Sequence, residues 1–71
     1  MKIERLIKMA NDIGDFFNAE SNKEVAAEGI KNHILRSWDP RMRHEIINYC
    51  RQDGSALNEL VRSALSTLEQ A

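Results

Sequence analysis

Residues 34–54 read ILRSWDPRMRHEIINYCRQDG and hold the clearest local signals in the chain. The centre of this stretch, Trp38-Asp39-Pro40, ends one helix and starts another. The Asp39 carboxylate is placed to accept from the first free backbone N–H groups of the new helix, and Pro40 suits its first turn, where a missing N–H costs nothing. The helix that follows carries Met42, Ile46, Ile47, Tyr49 and Cys50 inward and stops at Asp53-Gly54, a C-terminal glycine signal. Working outward, Ile3, Leu6, Ile7, Ala10, Ile13 and Phe17 recur at helical spacing across Lys2 to Phe17. A polar break at Asn18 to Asn22 follows, in which Ser21-Asn22-Lys23-Glu24 has the Ser-x-x-Glu capping form. A second helix is expected from about Asn22 to Ser37, with Ala26, Ala27, Ile30, His33 and Ile34 along one side. Beyond Gly54, Asn58 is expected to cap a last helix with the stripe Leu60, Val61, Ala64, Leu65 and Leu68. No strand alternation or repeat is present. The expectation is an all-α fold, a small compact bundle of four short helices forming one domain over residues 1–71.

Seventy-one residues, 42% of them hydrophobic, make a core that rarely yields more than roughly 3–5 kcal/mol without a staple. The single cysteine, Cys50, excludes an internal disulfide and a Cys-rich metal site, so the staple is expected from a partner protein or another copy of the chain. No run approaches the roughly eighteen apolar residues of a membrane span. MKIERLIKMANDI at the N-terminus has no signal-peptide core, so a cytoplasmic setting is expected. Net charge is −1, but it is uneven. Residues 31–51 hold Lys31, Arg36, Arg41, Arg43 and Arg51 against Asp39 and Glu45, whereas the segments on either side are acidic.

A catalytic reading has little support. His44 and Cys50 are six apart on one helix, about 240° around its axis, so they cannot form a pair within it. A small buried thiol accounts for Cys50, a core or interface position for His33, and a solvated one for His44. There is no His-x-x-His or Glu-x-x-His spacing for a metal and no glycine-rich phosphate loop. Gly14 and Gly29 lie inside helices, where each costs about 1 kcal/mol against alanine. Either they are weak spots or a neighbouring backbone comes close.

Recognition is the better-supported chemistry. Trp38 and Arg43 occupy the two positions that meet in a hydrophobic staple, so an indole–guanidinium stack of about 0.5–2 kcal/mol is one expectation. The other is that both are exposed anchors, since Trp and Arg dominate interface hot spots. Met9 and Phe16 share a ridge off the core stripe of the first helix, and Leu35 lies among Glu24, Glu28 and Lys31. These three read as a binding surface or, for Met9 and Phe16, as a wide core stripe. Arg41, His44 and Arg51 share one helix face, which admits a nucleic-acid reading that the slightly acidic chain disfavours.

The runs MANDIGDFF at 9–17 and NHILRSWDPRMR at 32–43, continued by Leu57 to Leu65, resemble the delta subunit of NAD-dependent formate dehydrogenase. The sequence departs from that family at Leu35 and Ser37, where relatives usually carry an arginine and an aromatic residue. The resemblance implies a non-catalytic accessory subunit of a cytoplasmic complex that oxidises formate to carbon dioxide and reduces NAD⁺. Its implied role is assembly or stabilisation, by binding the large catalytic subunit. It also implies no cofactor in this chain, with a molybdenum or tungsten pterin, iron–sulfur clusters, FMN and NAD on partner subunits. The expected partner-binding residues are Leu35, Trp38, Arg41 and Arg43, with Met9 and Phe16 as a second location. A regulatory nucleic-acid binder and a self-associating structural module are the alternatives, and a homo-oligomer of the isolated chain is compatible with the need for a staple.

Overall fold

The computed structural model describes residues 2–70, and their side chains as far as Leu68. Four helices follow in order: α1 Ile3–Phe17, α2 Lys23–Ser37, α3 Pro40–Gln52 and α4 Glu59–Gln70. Among the described residues there is no strand. The all-α, four-helix expectation therefore holds.

Each boundary has a local cause. Lys2 precedes α1 without a side-chain cap. The α2 cap is Asn22 rather than the Ser-x-x-Glu box expected at Ser21: Asn22 Oδ1 accepts from the N–H groups of Glu24 at 3.0 Å and Val25 at 3.3 Å. The reciprocal acidic partner lies upstream instead of downstream, because Glu20 Oε1 accepts from the Asn22 N–H at 3.0 Å. Lys23 closes this loop by donating from Nζ to the Asn18 carbonyl (3.0 Å), Asn18 Oδ1 (3.1 Å) and the Glu20 carbonyl (3.2 Å). At α3, Asp39 Oδ1 accepts from the Met42 N–H at 2.9 Å with Pro40 in the first turn, as the sequence implied. That helix ends with the Asp53 N–H on the Tyr49 carbonyl, and Gly54 follows at φ +70°, a conformation that L side chains rarely adopt. Asn58 caps α4 by accepting from the Val61 N–H at 2.9 Å.

The core joins Leu6 and Ala10 of α1, Ala26, Ile30 and Ile34 of α2, Trp38, Ile46 of α3, Leu57, and Val61, Ala64, Leu65 and Leu68 of α4. In α3 only Ile46 is fully buried; Met42, Ile47, Tyr49 and Cys50 are half-buried around it. Both α2 and α3 pack against α1 and α4 but scarcely touch each other, so they flank the α1–α4 pair on opposite sides. Gly14 and Gly29 make close packing possible, though the neighbour is a side chain in each case and not a backbone. A Cβ at Gly14 would lie 2.6 Å from Val61 Cγ2, and one at Gly29 would lie 2.5 Å from the Phe17 ring.

The α3–α4 loop is held from a distance. Asn11, on α1, donates to the Ala56 carbonyl at 2.9 Å and accepts from the Asn58 N–H at 3.0 Å. Tyr49 OH accepts from the Ala56 N–H at 3.0 Å. Each typical hydrogen bond contributes about 0.5–1.5 kcal/mol, and a group left half-buried without a partner costs more. Asn11→Ala is therefore expected to destabilise the chain by about 1–2 kcal/mol, read as a lower urea midpoint at constant m-value. An unchanged midpoint would show that the loop is held without Asn11.

Candidate docking surface

The corner between α2 and α3 is built from its backbone outward. The Trp38 N–H donates to the Ile34 carbonyl at 2.9 Å, closing α2, while its extended backbone (φ −99°, ψ 140°) turns the chain away. Asp39 and Pro40 then begin α3 at once. The Trp38 indole drops into the core and is only 5% exposed. It is thus corrected from a surface anchor to a core residue, because the turn that closes α2 carries its side chain into the cluster that also holds Ile34 and Ile46.

Arg43 does not stack on the indole. Its Nη1 donates to the Trp38 carbonyl at 2.7 Å in a partly buried setting, and no ring contact between the two is present. The last carbonyls of a helix lack intrahelical donors, and a charge-assisted bond to one of them is a stronger outlet for a guanidinium than an already packed ring. Arg43 holds the corner's shape.

Arg41 is the residue of this block that remains fully at the surface. Its side chain is 88% exposed, and its contact with Glu45 is 3.9 Å long, an i,i+4 pair of small worth in solvent. His44 and Arg51 are also exposed on α3. Leu35, 43% exposed, lies in the last turn of α2, across the corner from the first turn of α3. Of the second location, Met9 is half-buried against the core, as a wide stripe would have it, whereas Phe16 is 77% exposed. Val25, 54% exposed on α2, was not singled out from the sequence; its place off the Ala26–Ile30 side was the available signal. Asn11 and Lys23 were missed as loop clamps, since their partners are backbone groups that spacing does not reveal.

Among the described residues, no group of three or more His, Cys, Asp or Glu side chains is placed to hold a metal ion. No buried side-chain nitrogen or oxygen there lacks a partner. No helix among the described residues is long and apolar enough to cross a membrane. The surface carries an exposed basic face on α3, directly after the Trp38–Asp39 corner.

The model of the family described as NADH-dependent formate dehydrogenase delta subunit, FdsD, matches residues 5–65, from α1 into α4. No curated protein and no solved structure matches the chain.

The corner separates two arginines two residues apart. Arg43→Ala removes the charge-assisted bond to the Trp38 carbonyl and is expected to cost about 1.5–3 kcal/mol of stability. Arg41→Ala is expected to cost less than about 0.5 kcal/mol. Urea unfolding followed by circular dichroism measures both; equal effects would show that the Arg43 bond does not hold the corner.

Proposed function

The chain belongs to the family of NADH-dependent formate dehydrogenase delta subunits, and from that premise we propose that it is a non-catalytic accessory subunit that assembles or stabilises the active cytoplasmic complex. It does so by binding the large catalytic subunit. Formate oxidation and NAD⁺ reduction are carried out by other subunits, which hold the molybdenum or tungsten pterin, the iron–sulfur clusters, the FMN and the NAD. The family match over residues 5–65 is the observation that carries this reading.

The docking surface in this proposal is the exposed basic face of α3, centred on Arg41, with Leu35 beyond the corner. Trp38 and Arg43 serve it from behind, one filling the core and the other fixing the angle at which α3 begins. Two things favour this face. It is the basic segment of a chain whose net charge is −1, so it can steer the approach of an acidic partner surface. Its central arginine also has little to do in the fold, since its one ion pair is long and solvated.

Two outcomes are expected. Deleting the chain in its host lowers the amount or integrity of active formate dehydrogenase, while the purified chain alone does not oxidise formate. Enzyme made without it that is equally assembled, cofactor-loaded and stable contradicts the assembly role. Arg41→Ala, which folds normally, weakens binding to enzyme lacking this subunit by about 1–2 kcal/mol, roughly five- to thirtyfold. The loss shrinks as added salt screens the surface charges. Unchanged affinity for this variant at low salt moves the contact away from α3.

A further inference from the structure

We infer that the chain has a second docking face, on the outer side of α1 and α2, which takes an apolar segment flanked by lysine or arginine from another subunit of the same complex. This rests on the subunit reading given above.

The face is built around one aromatic pair. Phe17 lies across Gly29, whose missing Cβ leaves the room its ring occupies. Phe16 meets Phe17 edge-on, with ring centroids 5.2 Å apart and planes at 88°. One ring is thus packed into α2 and steadies the other, which projects into solvent. On α2, Val25 is one turn from Gly29 and continues the same ridge. Phe16 and Val25 are the two most exposed large hydrophobic residues described. Phenylalanine is among the residues enriched at protein interfaces.

Position separates this face from α3. Gly14, which packs on Val61 of α4, is two residues from Phe16 and so about 200° around α1. Asn11, which reaches the α3–α4 loop, is about 140° away. The Phe16 side of α1 therefore points away from both α3 and α4.

Charge names the occupant. Asp15, Glu24 and Glu28 are exposed near this ridge and form no ion pair. Lys23, bound to the Asn18 and Glu20 carbonyls, and Lys31, one turn from Glu28, offset part of this charge; with the exposed Glu20 the border remains net acidic, four carboxylates to two lysines. An apolar ridge with a net acidic border calls for an apolar segment with basic flanks. A second copy presenting the same face would set these carboxylates against each other, and a nucleic acid would be repelled. The chain is then a bridge, basic on the α3 flank and acidic-apolar on the α1–α2 flank.

The test uses the full-length chain and formate dehydrogenase purified from a host lacking this subunit. A Phe16→Ser, Val25→Ser variant is expected to keep its thermal midpoint and to lose at least tenfold in affinity for that enzyme. In parallel, a photoreactive phenylalanine derivative at position 16 is expected to cross-link to an enzyme subunit, in a segment with lysine or arginine beside apolar residues. Unchanged affinity of the double variant, or a cross-link only to another copy of this chain, overturns the proposal while leaving the subunit reading intact. Failure of the unmodified chain to bind the enzyme at all overturns both.

Discussion

The structure depends on the way Trp38 is used. One residue closes α2 through its N–H, fills the core with its indole and offers its carbonyl to Arg43. Two residues, Trp38 and Asp39, separate α2 from α3, yet the helices scarcely touch, because the corner sends α3 to the far side of the α1–α4 pair. In a domain of this size the indole is a large share of the apolar area available, and a small-to-moderate loss there is a large fraction of total stability. The corner is rigid because each of its hydrogen bonds uses a group the helix ends would otherwise leave unpaired.

That rigidity sets what the surface can do. By absorbing Trp38 and Arg43 into the fold, the chain leaves Arg41, His44 and Arg51 on a helix whose direction is fixed. The opposite flank carries a projecting phenylalanine held by its neighbour and an acidic border. Among its described residues the chain has no grouped metal ligands, and its buried polar side-chain atoms have partners. Its two flanks differ in charge and are held at a fixed separation by the core between them.

The helices were legible because their signals are local. Asp39-Pro40, Asp53-Gly54 and Asn58 each act on backbone groups within four residues, so spacing alone places them. The α2 cap was misplaced by one residue because Ser21 and Asn22 are both competent, and Glu20 and Lys23 decide between them through loop contacts. The Trp38–Arg43 pairing was found, but its form was not. Staple spacing brings the two residues together, and only the burial of the indole shows that the guanidinium must turn to the carbonyl. Asn11 was invisible for another reason. Its partners are 45 and 47 residues away, and nothing in the periodicity of α1 distinguishes a clamp from a solvated amide. Of the site, Phe16 and Leu35 were readable as hydrophobes off the core stripe, whereas Met9 could not be told from a core residue until the packing of α1 was known.

In the function proposed above, the chain acts by docking through the exposed faces of α3 and of α1–α2. Amide hydrogen exchange of the chain, free and bound to formate dehydrogenase that lacks it, tests this most directly. Added protection is expected in the first turns of α3 and around residues 16–29, with the exposed side of α4 unchanged. Protection confined to α4, or none anywhere despite binding, would contradict it.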